Sequence, residues 1–233
     1  MDPTQTKILV AIEKSLSLDF HDKSLLKQAL THSSYLNENH GECRTSNERL
    51  EFLGDSVLGF IVASQLYNFY SDWQEGTLTE ARSILVQRDT LAKVAIRLKL
   101  GKYLYLGKGE EMTGGRKRIS TLASLYEAII GAIFLDKGFG ASKEFILDTM
   151  DPEISQLGHE ETYKTSKSEL QEKIQSLGIP PPTYKTTDTS GPKHKQTFVA
   201  EVYVNGKVSG SGSGSSKPNA EKNAAIDALK KLT

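Results

Sequence analysis

Cysteine is nearly absent from this chain. One residue in 233, Cys43, stands in the polar segment HGECRTSNE. A lone thiol excludes an internal disulfide and a thiolate metal cluster, and nothing around it marks a nucleophile. Long apolar runs are missing too: none approaches the ~20 residues that a helix needs to cross a bilayer, so no membrane partner is expected. The opening MDPTQTKILVAIEK lacks the basic-then-apolar order of a secretory leader, and a cytoplasmic protein is expected. Net charge is absent as well, with 29 Lys and Arg against 29 Asp and Glu.

The cancelled charge hides an asymmetry. Residues 165–233 carry ten Lys, no Arg and six acids, giving +4; the remaining 19 bases and 23 acids give −4. A basic part joined to an acidic part suggests a phosphate-binding module attached to something else.

Apolar periodicity divides the chain in the same way. LLKQAL, LEFLGDSVLGFIVASQLYNFY, LTEARSILVQRDTLAKVAIRLKL and ISTLASLYEAIIGAIFL repeat at i, i+3 and i+4, which predicts an all-α domain over residues 1–151. The stretch MDPEISQLGHEETYKTSK has a proline, several charges and little periodicity, so residues 152–164 are read as a linker. Residues 165–233 read as α-β-β-β-α: a helix over Ser168–Leu177, a strand at PTYKTT, alternation in TFVAEVYV, a turn at Asn205-Gly206, a return strand from Val208, and a helix over Asn219–Leu232. SGSGSGSS, from Ser209, is read as a structured loop feeding that last helix. The fold class is therefore α+β.

The segment NERLEFLGDSVLGF places Glu48, Glu51 and Asp55 at relative positions 0, 3 and 7, one face of a helix, beside an apolar stripe of Leu50, Leu53, Val57 and Ile61. Gly54 and Gly59 inside a helix suggest that another backbone comes close. SLYEAIIG offers a neighbour, because Ser124, Glu127 and Gly131 share a face. Clustered carboxylates repel one another and resist desolvation, so a cation would make them tolerable. Oxygen donors without His or Cys favour Mg²⁺ or Mn²⁺, and such a site suits activation of water for attack on a phosphodiester. The competing reading is a solvated acidic face with Arg49 and nearby bases as partners. Spacing alone leaves both open.

NERLEFLGDSVL closely resembles the signature segment of ribonuclease III. ALTHSSY (residues 29–35), EGTLTEARSILVQRDTLA and LASLYEAIIGAIFLDKGF follow in the family's order, and the C-terminal pattern is similar to that family's double-stranded-RNA-binding domain. The resemblance implies a Mg²⁺-dependent homodimeric endonuclease that cuts double-stranded RNA to 5′-phosphomonoesters, processes ribosomal RNA precursors and other structured transcripts, and needs no small-molecule cofactor. By motif, the metal set falls on Glu51, Asp55, Ser124 and Glu127, with Asp55 and Glu127 as catalytic residues. Glu48 matches the motif's first Glu and is expected to support the helix or the dimer. Ser124 stands where the family pattern has Asp. Serine can ligate Mg²⁺ or hold a coordinated water, and the other acidic positions are intact, so cleavage is expected to be retained. The alternative is a weakened or inactive double-stranded-RNA-binding protein of the same fold.

In the tail the resemblance implies RNA contacts from Gln171 and Glu172 on the first helix, from His194 in GPKHKQTF, and from Lys217 and Lys222 at the start of the last helix. Backbone N–H groups there add to the lysines in attracting phosphate. Lys217-Pro218 replaces a frequent pair of bases, so one phosphate contact fewer and a modest affinity are expected.

Overall fold

The computed structural model describes residues 3–39, 45–159, 166–191 and 196–232. His194, Cys43 and the end of the expected linker lie outside them. The chain forms two compact units, one made mainly by residues up to Gly158 and the other from His159 onward.

In the first unit the helical periodicity is realised as α1 (Pro3–Leu16), α2 (Lys23–Ala29), α3 (Ser33–Glu38), α4 (Glu48–Phe69), α5 (Glu75–Val86), α6 (Arg88–Arg97), α7 (Lys108–Met112) and α8 (Ile119–His159). The apolar stripe of α4 goes inward, with Leu50, Val57, Leu58, Ile61, Val62 and Leu66 buried. α8 adds Leu125, Tyr126, Ile129, Ile130 and Ile133, all fully buried, to the core of this unit, where each buried aliphatic side chain contributes about 1.5–3 kcal/mol. α8 is apolar and long enough to cross a bilayer, yet 61% of its apolar window is buried inside the protein, as suits a core helix.

Where α4 and α8 cross, two glycines bring the backbones together. A Cβ on Gly54 would sit 1.8 Å from the carbonyl oxygen of Glu127, and one on Gly131 would sit 2.2 Å from that of Leu50. Gly59 differs from the sequence expectation: a Cβ there would meet nothing within 4 Å.

α8 changes direction at Gly138, whose φ of 78° and ψ of −171° are open to glycine. Just before that break, Asp136 accepts hydrogen bonds from the backbone N–H groups of His21 and Asp22 at 2.9 and 2.7 Å, and these hold its carboxyl below the usual range against the opposing effect of burial. The helix then continues through Pro152 to His159, so residues 152–159 of the expected linker are helical. Proline removes one backbone hydrogen bond from a helix. Arg97 of α6 secures this final stretch, donating to both carboxylate oxygens of Glu153 at 2.6 and 2.9 Å and to the carbonyl of Thr149.

The second unit contains α9 (Ser166–Ser176), β1 (Thr183–Ser190), β2 (Thr197–Val204), β3 (Lys207–Gly214) and α10 (Lys217–Lys231). The strands form one antiparallel sheet in the order β1-β2-β3. Asn205 (φ 50°) and Gly206 (φ 76°) supply the two left-handed residues of the β2–β3 hairpin turn. Leu170 and Ile174 of α9, Val202 of β2 and Ala224, Ala225 and Ala228 of α10 form the core.

The run SGSGSGSS is mostly strand, which corrects the loop expectation. Its glycines recur at every second position and so share a face of β3. Cβ atoms on Gly210, Gly212 and Gly214 would lie 2.5, 2.3 and 2.7 Å from backbone atoms of Ala224, Ala224 and Ala220. The period is that of a strand, but the inward face carries no side chain, because the helix backbone occupies that space.

Candidate functional site

α4 is preceded by Asn47, a buried residue whose backbone N–H donates to the carbonyl of Thr31 at 2.8 Å. Glu48 and Glu51 then fall in the first helical turn, where the helix dipole favours negative charge. The Gly54–Gly131 crossing draws the next turn of α4 against α8. An open groove results, lined by Glu51 and Asp55 of α4, Ser124 and Glu127 of α8, and Gln87 and Arg88 at the entry to α6. The groove holds the whole expected metal set. Glu48 and Phe52 complete its rim.

Ser124 Oγ donates a hydrogen bond to Glu51 Oε1 at 2.7 Å, joining the two helices through side chains. Glu51, Ser124 and Glu127 are half-buried and Asp55 is exposed. The Glu127 carboxyl is raised from 4.5 to about 7, first by burial and then by the charges of Asp55 and Glu51, with Arg88 opposing them. Arg49, the base offered by the solvated-face reading, forms no ion pair with these acids among the described residues. Glu48 accepts from Ser46 Oγ at 2.8 Å, which suits a supporting role.

Oxygen donors of this kind match a hard divalent cation. Burial, and after it the charges of Asp55 and Glu51, keep Glu127 protonated further up the pH scale than a free carboxyl, so a bound cation would relieve the cluster. Among the described residues no three His, Cys, Asp or Glu side chains are grouped so that they alone could hold a metal ion. An ion that keeps several waters needs only one or two carboxylates directly, so an open donor set fits it.

Arg88 and Gln87 were not singled out from the sequence. Their segment, VQRDTLA, belongs to the resemblance, but nothing in its spacing announces that α6 starts at the carboxylates. Of the expected RNA contacts, Gln171 and Glu172 are exposed on α9, and Lys217 and Lys222 are exposed in the opening turns of α10. Ser216 caps α10 by accepting from the backbone N–H of Asn219, and Pro218 falls in the first turn, where a missing N–H has no helical partner to lose.

Residues 22–154 match the model of the Ribonuclease-III-like family, and residues 166–232 match that of the double-stranded RNA binding motif. The chain belongs to the ribonuclease III family. Ribonuclease 3 of Dehalococcoides mccartyi is 47% identical over 224 residues, which cover 96% of this chain and 94% of the relative. Ribonuclease 3 of Enterococcus faecalis is 44% identical over 228 residues, covering 97% and 98%. A solved nuclease domain of ribonuclease III from Campylobacter jejuni overlays 60% of this chain and 94% of that chain, with a TM-score of 0.56 and 40% identity. Membership makes this protein an endoribonuclease that cuts double-stranded RNA and depends on a divalent metal. The alternative of an inactive RNA-binding protein finds no support among these relatives, which carry the name of the enzyme.

Proposed function

We propose that Glu51, Asp55, Ser124 and Glu127 hold Mg²⁺, or Mn²⁺ in its place, and that Asp55 and Glu127 orient the water that attacks an RNA phosphodiester. The observation that carries this reading is the groove in which all four side chains meet across the Gly54–Gly131 crossing. The bound ion supplies a more acidic water and neutralises charge developing on the phosphate. Burial and the charges of Asp55 and Glu51 raise Glu127 in the metal-free groove, and a bound cation would favour its ionised form, the form that can accept a proton from water. Ser124 fixes the direction of the Glu51 carboxylate through its hydrogen bond, so serine in place of aspartate keeps an oxygen donor while removing one charge. Arg88 faces the acids with the one kind of charge that an incoming phosphate requires. Attack on phosphorus with release of the 3′ oxygen leaves a 5′-phosphomonoester.

Residues 1–151 serve as the catalytic part and residues 165–233 as the RNA-binding part, with Gln171, Glu172, His194, Lys217 and Lys222 touching the duplex by shape and charge. The setting is the cytoplasm, and the substrates include ribosomal RNA precursors. The enzyme acts as a homodimer. Phe52, Phe60, Leu135 and Phe139 of the helical unit are 78, 63, 54 and 44% exposed, a concentration of large apolar groups that favours a second copy. An apolar groove beside Phe52, lined also by Leu50, Leu53 and Leu135, gives such a copy a place to insert. The solved Campylobacter jejuni domain is itself described as having a region involved in dimer formation.

The test is cleavage of a long RNA duplex, with and without Mg²⁺, by the wild type and by Glu127→Gln. Loss of the proton acceptor is expected to slow cleavage by about 10²–10⁴-fold while duplex binding persists. Equal rates for the two proteins would overturn the assignment of the site.

A further inference from the structure

Three lysines rim a further concavity of the helical unit, which shares no residue with the carboxylate groove. Ala95 and Leu122 lie buried at its floor, and Ile96 stands 58% exposed beside them. Lys99, Lys102 and Lys117 line it with no carboxylate among its walls. Among the described residues no ion pair joins any of the three to an acid, and Lys102 lies 4.5 Å from the centre of the Tyr103 ring. These cations, none of them paired with an acid among the described residues, occur in the part of the chain whose net charge is −4.

The walls are held in place before any partner arrives. Arg116 donates from Nη1 to the carbonyls of Gly101 and Leu104 at 2.7 and 2.9 Å, and its other N–H groups bind Glu111. A Cβ on Gly101 would fall 2.5 Å from the Arg116 carbonyl oxygen, so the two turns meet backbone to backbone. Lys99 sits at φ 54°, in the left-handed region that lysine seldom adopts, and this places a strained turn at the rim.

From this combination we infer that the concavity docks an acidic segment of another protein, one that presents a single large apolar side chain flanked by carboxylates. The floor and the rim each select part of that description. An RNA duplex shows phosphates and sugars on its outside, so it would satisfy the lysines and leave the apolar floor without a counterpart. A free anion has the same deficiency. An apolar anchor fills the floor, and carboxylates around it steer the approach and fix the register.

The experiment uses the full chain and a short fluorescein-labelled peptide of Glu and Ser with one central Trp, followed by anisotropy. Binding to the wild type is expected to weaken about tenfold for Ile96→Asp, for the double variant Lys99→Glu with Lys117→Glu, and for the wild type when Ser replaces the peptide's Trp. All three substituted side chains are exposed, so unchanged melting temperatures and an unchanged rate of duplex cleavage should accompany the loss. The inference fails if the peptide does not bind, if the Trp-less peptide binds equally well, or if the variants bind the peptide undiminished. It also fails if the variants lose duplex cleavage instead, which would assign this surface to RNA.

Discussion

Both units are built on glycines that let two backbones touch, and they use the device for different ends. At the crossing of α4 and α8, Gly54 and Gly131 remove side chains so that the carboxylates of two helices share a groove. Between β3 and α10, Gly210, Gly212 and Gly214 remove side chains so that a sheet can lie on an alanine-rich helix. The first contact positions chemistry and the second positions a surface. The same substitution should therefore break different properties in the two places.

Gly54→Ala carries the largest expected effect. The added Cβ would sit 1.8 Å from a backbone oxygen, which no rotamer change can relieve, so the helices must separate. A loss of about 3 kcal/mol or more in the helical unit is expected, at the upper end for overpacking, and cleavage should vanish with the groove while duplex binding by the second unit survives. Melting and duplex cleavage measured side by side check this; a variant that cuts at the wild-type rate would show that the crossing does not organise the site.

Gly212→Ala comes next. Its Cβ would lie 2.3 Å from the backbone nitrogen of Ala224, but an edge strand can shift more easily than a central helix crossing. About 1–3 kcal/mol of destabilisation in the second unit is expected, seen as weaker duplex binding with cleavage restored at saturating RNA. If cleavage at saturation fell as far as it does for Gly54→Ala, the division of labour between the units would be wrong.

These two contacts also show how much the sequence disclosed. Gly54 interrupts an apolar helical pattern, so its close approach was legible, as were Glu51, Asp55, Ser124 and Glu127 once two helices with matching faces had been found. The return strand is legible at Val208, but its continuation through the Gly/Ser run from Ser209 reads as a loop, because the strand signal rests on side chains and here the buried face has none. Arg88 and Gln87 escaped because their role depends on where α6 begins in space. The helical course of residues 152–159 escaped because Pro152 and scattered charges resemble a break, and the Arg97–Glu153 pairing that holds them spans 56 positions.

The pH dependence of stability sharpens the comparison further, since strain at the first crossing is electrostatic as well as steric. Glu127 is raised from 4.5 to about 7 in the folded protein by burial and by Asp55 and Glu51. Between those values the folded state binds a proton that the unfolded chain has released, so folding is favoured at the acid end. With metal removed by a chelator, thermal stability should fall as pH rises from about 4.5 to 7 and level off above, and Glu127→Gln should flatten that slope. A slope unchanged by Glu127→Gln would assign the pH dependence to other groups and remove the argument for a repulsive cluster. Partial exposure of the carboxyl keeps this effect below that of the glycine substitutions.

The smallest expected effect comes from the glycine in α4 that does not follow the rule. Gly59 lies in the same helix as Gly54, yet its Cβ position opens on nothing within 4 Å. Alanine there gains helix propensity without meeting a neighbour, so Gly59→Ala should stabilise the protein by about 0.5–1 kcal/mol, read as a rise in melting temperature. Glycine at this position then has no structural account within a single chain. Gly59 is, however, seven residues from Phe52 and next to Phe60, both on the exposed apolar face. Should Gly59→Ala lower the melting temperature, and lower it more as protein concentration rises, the missing neighbour would be the backbone of a second copy, approaching α4 as α8 does at Gly54.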